Sequence, residues 1–232
     1  MQVRSKLIAI IVPLWLSVAC LAQNADLQKV LNAMDQQAAS FHNAQANFVW
    51  DQYTAVVQEH DTQEGVIYFR RTGKNELQMA ADIKQPPKYV LFSGGQVKVY
   101  DHVPGGIDQV TEYDAGKNKA AFESFLVLGF GGSGKDLQKQ FDVTYSGTEN
   151  VLGVNAAKLD LTPKSQKVRG MFDHIVLWID PARGVSVQQQ FIDHDGNYRL
   201  AKYRDIVLNG KISEEVFKLK TTSKTTTVRP QG

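Results

Sequence analysis

The chain has 232 residues, of which 43% are hydrophobic, 22% charged and 9% aromatic, so disorder and collagen are excluded and one sizeable globular domain or two small ones is expected. A single cysteine excludes a disulfide framework and a cysteine-rich zinc site. The 26 basic and 24 acidic side chains are too nearly balanced to suggest nucleic acid as a partner.

At the start, Arg4 and Lys6 precede an apolar run over residues 7–18, which closes in Ser17-Val18-Ala19-Cys20-Leu21-Ala22. This is the layout of a bacterial export signal, and a run of twelve residues is too short to cross a bilayer. Cleavage after Ala22 makes residues 1–22 a signal peptide and residues 23–232 a soluble periplasmic domain with 24 basic and 24 acidic side chains. The alternative is lipidation of Cys20, which would make an outer-membrane lipoprotein. Ser17 opposes it, since lipoprotein signals usually carry Leu, Val or Ile three residues before the cysteine.

From Asp26, the residues Leu27, Val30, Leu31, Met34, Ala38 and Phe41 recur at helical spacing, with Asn24 or Asp26 available as an N-cap. The period then changes to two: Ala46, Phe48 and Trp50 share one face of a strand that runs on towards Gln58, and a turn is expected at residues 60–63. Short runs separated by turn residues follow at 65–71, 76–83, 88–93, 96–101 and 107–113. Residues 119–128 read as a helix whose apolar Phe122, Phe125, Leu126 and Leu128 lead into Gly129-Phe130-Gly131-Gly132, so its end is free to move. Strands return at 141–146, 156–161, 174–180, 185–193 and 198–208, with Asp195-Gly196 suited to a tight hairpin turn. About ten or eleven strands without a linker or repeat imply one antiparallel sheet with a few helices, an α+β fold. The tail from Thr221 reads as loose or as an edge strand.

Catalytic signatures are absent. Gly129 to Lys135 fits a phosphate loop, but Asp136 stands where the magnesium-binding Ser or Thr belongs, and helix rather than strand precedes it. His42, His60, His102, His174 and His194 are scattered, so no metal site is expected. Asp193-His194-Asp195-Gly196-Asn197 lacks the closing Glu of a calcium loop and reads as a turn. There is no GxSxG elbow, and neither enzymatic activity nor a cofactor is expected.

What remains is shape. A half-open sheet with an apolar concave side needs cover, and the first helix and the 119–128 helix can supply it. Arg71 shares strand parity with Ile67 and Phe69, which puts a guanidinium on the apolar face. It can snorkel to solvent from the strand end or find acceptors in the protein.

Four segments together resemble the periplasmic lipoprotein carrier family LolA: Ser40-Phe41-His42 leading into Ala46-Asn47-Phe48, the run from Gln63-Glu64-Gly65 to Arg70-Arg71, Ser93-Gly94-Gly95-Gln96-Val97-Lys98-Val99-Tyr100-Asp101, and Leu159-Asp160-Leu161-Thr162-Pro163-Lys164. The resemblance spans most of residues 25–219. It implies an incomplete antiparallel β-barrel with a helical lid over an apolar concave face. The hollow would hold the acyl chains of lipoproteins or other lipid. An inner-membrane lipoprotein-releasing complex would load it, and an outer-membrane acceptor would unload it. The carrier would be a monomer with no covalent chemistry and no nucleic acid to bind. In that family an arginine after the Glu-Gly turn latches the closed lid, and Arg71 holds the matching position. Two departures from the family pattern are Gly94-Gly95-Gln96 in place of Asp-Gly-Lys and Thr72 in place of Pro.

On this reading Phe48, Trp50, Ile67, Phe69, Leu77, Met79 and Leu91 line the hollow, while Phe122, Phe125 and Leu126 plug it when empty. The competing account is a dry, fully filled core. Three alternative functions are a lipid-anchored LolB-like acceptor, an envelope lipid sensor with the fold of RseB, and an unmarked periplasmic hydrolase. RseB carries a further C-terminal domain for which this chain has no length.

Overall fold

Period-two alternation in the sequence becomes twelve strands hydrogen-bonded into one sheet in the computed structural model. It describes residues 16–73, 76–103, 105–114 and 128–230, with side chains from residue 23 onward. In chain order the strands are β1 (Asn43–Thr54), β2 (Glu59–Arg71), β3 (Leu77–Ile83), β4 (Lys88–Ser93), β5 (Gln96–Asp101), β6 (Gln109–Asp114), β7 (Phe141–Val151), β8 (Val154–Pro163), β9 (His174–Asp180), β10 (Val185–Ile192), β11 (Tyr198–Leu208) and β12 (Thr226–Val228). The helices are α1 (Leu16–Ser40), α2 (Gly134–Gln140) and α3 (Gln166–Arg169), with a 3-10 turn at Glu214–Phe217.

The order across the sheet is β12-β6-β5-β4-β3-β2-β1-β11-β10-β9-β8-β7. Neighbours run antiparallel except β12 and β6, which pair in parallel through Thr226–Val228 and residues 109–111. The two edges, β12 and β7, do not meet, so the sheet is an unclosed barrel. The expected count of ten or eleven strands is corrected to twelve, because the Thr-rich tail supplies the additional edge strand.

Three boundaries differ from expectation. Helix α1 is already formed at Leu16, well before the expected start near Asp26, since residues 16–25 contain neither Gly nor Pro and the supposed caps Asn24 and Asp26 lie inside it. The first hairpin turns at residues 55–58, where Gln58 takes φ 54°, and not at 60–63, which belong to β2. The β10–β11 hairpin closes over a loop at residues 193–197 instead of a tight turn. Its geometry is set by the Asp193 carboxylate, which accepts from the backbone NH groups of Asp195 and Asn197 at 2.9 and 3.0 Å.

Alternation puts apolar side chains on both faces of the sheet, and the two faces are covered differently. On the inner face Val30, Leu31 and Met34 of α1 pack with Leu137, Leu159, Leu161, Ile175, Leu177 and Ile179 over β7 to β10. A second inner cluster joins Phe41, Ala44, Ala46, Phe48, Phe69, Met79, Phe92, Phe130 and Tyr203 over β1 to β4 and β11. On the outer face Val176, Trp178 and Val187 cluster beside Ala156. Ala80 and Leu91 lie under Phe217 of the 3-10 turn. Among the described residues no helix is long and apolar enough to cross a membrane.

Candidate functional site

Strand spacing in β1 to β3 brings most of the residues expected to line a hollow into one packed cluster. Phe48, Phe69, Leu77 and Met79 are buried together in the second inner cluster, and Trp50 and Ile67 pack half-buried at its margin. Leu91 is the correction. The register Met79↔Phe92 and Ala80↔Leu91 gives the inner face to Phe92 and turns Leu91 outward against Ala80 and Phe217. Phe122, Phe125 and Leu126 lie outside the described residues.

The centre of this cluster is occupied by a residue that the sequence pattern does not single out. Phe130 is fully buried, stacks on Phe69 with ring centroids 4.9 Å apart, and meets Tyr203 edge to face, also at 4.9 Å. A small cavity of about 30 Å³, room for about one water, lies between Met34, Leu128, Gly129, Leu137 and Phe141. Phe130 was recognisable only indirectly, as the one large side chain in a glycine run. Gly129 and Gly131 stand at φ 84° and 80°, a region that favours glycine. Space is equally exacting: a Cβ on Gly129 would lie 2.1 Å from the Ser186 Cβ, and one on Gly131 2.5 Å from the Phe41 ring.

Three carbonyls of this segment are matched by donors from the rest of the protein. Gln189 Nε2 donates to the Leu128 carbonyl, and the Ser186 NH donates to the Gly129 carbonyl at 2.9 Å. Arg71 Nη2 donates to the Gly131 carbonyl at 2.9 Å. The same guanidinium donates through Nη1 to the Ala38 carbonyl at 3.0 Å and the Phe41 carbonyl at 3.4 Å, and lies 5.5 Å from the centroid of the Phe41 ring. Ala38 is in the last turn of α1, where free carbonyls and the negative end of the helix dipole favour a cation. Arg71 thus joins three pieces: the strand that carries it, the end of α1 and the glycine run. Asn209 fixes the same corner, accepting from the His42 NH at 2.8 Å and donating to the Ser40 carbonyl at 2.9 Å.

Outside this junction lies a polar surface cleft of about 410 Å³ lined by Asp35, Ala38, Ala39, Arg71, Gly131, Ser133, Lys135 and Asp136. The apparent phosphate loop is spent here on helix capping. The Ser133 hydroxyl accepts from the Asp136 NH at 3.0 Å and starts α2. Hydrogen bonds from Lys139 and then Ser133 hold the Asp136 carboxyl below its ordinary range. Among the described residues no group of three or more His, Cys, Asp or Glu is placed to hold a metal.

Beneath Phe130 the inner face is not wholly apolar. The Tyr203 hydroxyl donates to Gln189 Oε1 at 3.2 Å, and burial pushes the Tyr203 phenol up. Neither residue stands out in the sequence, because a glutamine and a tyrosine in alternating strands carry no mark of their own.

No protein family and no curated protein matches the sequence. Solved structures do. The crystal structure of MucB aligns with 13% identity and a TM-score of 0.53, covering 86% of this chain and 64% of MucB, so the chain spans less than two thirds of that protein. An uncharacterised conserved protein from Thermus thermophilus aligns with 13% identity and a TM-score of 0.53, covering 88% of this chain and 99% of the other. The LolA superfamily protein NE2245 from Nitrosomonas europaea aligns over 83% of this chain and 97% of its own, at 13% identity and a TM-score of 0.38. The chain shares its fold, an unclosed and mostly antiparallel sheet, with MucB and with the Thermus thermophilus protein.

Proposed function

We propose that this chain is a periplasmic carrier that takes up acyl chains of lipoproteins between its inner face and the 128–132 segment. The observation that carries the reading is the Arg71 guanidinium, which ties the carbonyl of a glycine-flanked plug to the end of α1. A covering segment built on two positive-φ glycines and held by directional hydrogen bonds can be exchanged for a ligand.

The energetics require such a cover. A sixteen-carbon chain gains very roughly 13 kcal/mol on burial at about 0.8 kcal/mol per methylene. An open apolar trough would hold it too tightly for delivery, and would aggregate when empty. Phe130 offsets part of that gain, because its ring must leave the aromatic cluster before a chain can enter. Arg71 sets how readily it leaves. The layout of the first 22 residues supports a periplasmic setting, with an inner-membrane releasing complex upstream and an outer-membrane acceptor downstream. Nothing in this mechanism involves catalysis.

Exchange of Arg71 for Leu tests the latch. The variant should take up an environment-sensitive lipopeptide about tenfold more readily than wild type, with only a small change in stability; unchanged uptake and release would remove the role. Native mass spectrometry of protein purified from its own periplasm should show a bound acylated peptide or lipid.

A second reading is a sensor that answers to a protein partner. It is favoured by the likeness to MucB, a protein whose crystal structure has been solved in complex with MucA. A lipid-anchored acceptor is the third, and a diacylglycerol on Cys20 in the mass of the mature N-terminus would identify it. Transfer of bound lipopeptide from the purified protein to acceptor membranes separates a carrier from a sensor.

A further inference from the structure

The centre of the inner face carries a buried polar pair whose placement depends on one irregularity in β10. Its pairing with β9 shifts between Ser186 and Gln188, so Ser186 opposes Ile179 while Gln189 opposes Leu177. Both Ile179 and Leu177 belong to the inner cluster, and Val187 instead joins Trp178 on the outer face. Without the bulge, residues three apart would point to opposite faces. With it, the Ser186 NH and the Gln189 side chain sit under the plug together, donating to the Gly129 and Leu128 carbonyls. Tyr203 completes the arrangement from β11 by donating to Gln189 Oε1 at 3.2 Å. That bond engages the carbonyl end of the amide and leaves the NH2 group aimed at the plug.

In the closed form the donor is matched by a carbonyl of the chain itself. When the 128–132 segment lifts, Gln189 Nε2 is left without its acceptor on a face that is mostly apolar apart from Ser186 and Tyr203. A buried donor left unpaired is costly, and water is excluded once a hydrocarbon chain covers it. A ligand that brings its own carbonyl to that point repairs the loss; a bare hydrocarbon does not.

We propose that the Gln189 carboxamide, steadied by the Tyr203 hydroxyl, receives the ester or amide carbonyl of an acyl chain in place of the Leu128 carbonyl, so that the site selects acyl lipids over ether or hydrocarbon chains. This rests on the carrier reading above and adds to it the feature of the cargo that is recognised. A site built to hydrogen-bond one group rejects the analogue lacking it more sharply than an apolar pocket rejects a change of length.

The test uses the full mature chain and two probes, palmitoyl lysophosphatidylcholine and its hexadecyl ether analogue. These share headgroup and chain length and differ in the carbonyl oxygen. Each is titrated against a pre-bound naphthalene-sulfonate fluorophore, with wild type and with Arg71→Leu, in which the cover lifts more easily. The ester should compete about tenfold better than the ether, and Gln189→Leu should reduce that ratio to within about twofold while still binding both. Tyr203→Phe, which frees the carboxamide to rotate, should give an intermediate ratio. If Gln189→Leu does not fold, the ratios for wild type and Tyr203→Phe decide. Equal binding of ester and ether by wild type overturns the carbonyl site and leaves the carrier reading standing. Failure of both lipids to bind wild type and Arg71→Leu overturns the carrier reading itself.

Discussion

The inner face of the sheet has two halves, and they are filled by different means. Over β7 to β10 the filling is permanent: Leu159, Leu161, Ile175, Leu177 and Ile179 are fully buried against Val30, Leu31 and Met34 of α1. A helix joined to the sheet by branched aliphatic side chains at several turns cannot leave without unfolding the domain. Over β1 to β4 and β11 the filling is one phenylalanine on a glycine run, anchored by an arginine, a glutamine and one backbone NH. On the reading proposed above, the first half is core and the second a covered site, although both are buried. Burial alone does not tell a core from a closed pocket. What tells them apart is the number and kind of bonds that must break to open each.

The sharpest way to break this comparison is to truncate one residue in each half. Leu159→Ala should cost about 2–5 kcal/mol in urea unfolding and leave the lipid affinity of the folded fraction unchanged. Phe130→Ala should cost less, about 1–3 kcal/mol, below the usual range for buried Phe, and should raise lipid uptake about tenfold because the plug is gone. If the two variants lose equal stability and neither gains lipid, the halves are one core. A smaller effect is expected from Gly131→Ala. Its φ of 80° and the Phe41 ring at 2.5 Å from the new Cβ strain only the closed form. The expected result is a loss of about 1 kcal/mol with severalfold faster uptake.

The smallest effect concerns the outer face, where residues 209–228 run from β11 across to β12. Arg70 ties this strap by pairing with Glu214 at 2.6 Å and lying 4.1 Å from the Phe217 ring centroid. Farther along, Arg229 pairs with Glu112 at 2.8 Å. The hydrogen bond from Arg70 holds the Glu214 carboxyl below its ordinary range, and one from Lys98 followed by one from Arg229 does the same for Glu112. Depressed values in the folded state mean that these ties are present above the usual glutamate range, near about 4.3, and are lost as pH falls through the lower folded values. Hydrogen-exchange protection at residues 212–228 should therefore weaken below about pH 4, while the 128–132 segment, held by Arg71, Gln189 and the Ser186 NH, keeps its own. Equal loss in both would show that the strap and the plug open together.

Much of the fold was legible because its signals are local. The period-two runs marked eleven of the twelve strands, and the parity of Ala46, Phe48 and Trp50 on β1 follows from pleating alone. The position of Arg71 beside Ile67 and Phe69 was legible for the same reason. Leu91 was misplaced because a run such as Tyr89-Val90-Leu91-Phe92, apolar on both faces, has no readable parity, and its register against β3 is a tertiary fact. Phe130 was hidden by its glycines, which announce a turn but not what the turn covers.

The sequence by itself determined the alternating strands, the amphipathic face of α1, the sheet-rich class and the layout of an export signal, since each depends on spacing along the chain. Only the tertiary structure decided which residue sits at the centre of the second inner cluster, which carbonyls Arg71 grips, and that a bulge in β10 brings Ser186 and Gln189 to one face beside Tyr203. Those facts join residues far apart in the chain, as Leu128 and Gln189 are at a separation of 61 positions. Contacts at such separations are set by strand register and loop closure, which leave no periodic trace in the sequence.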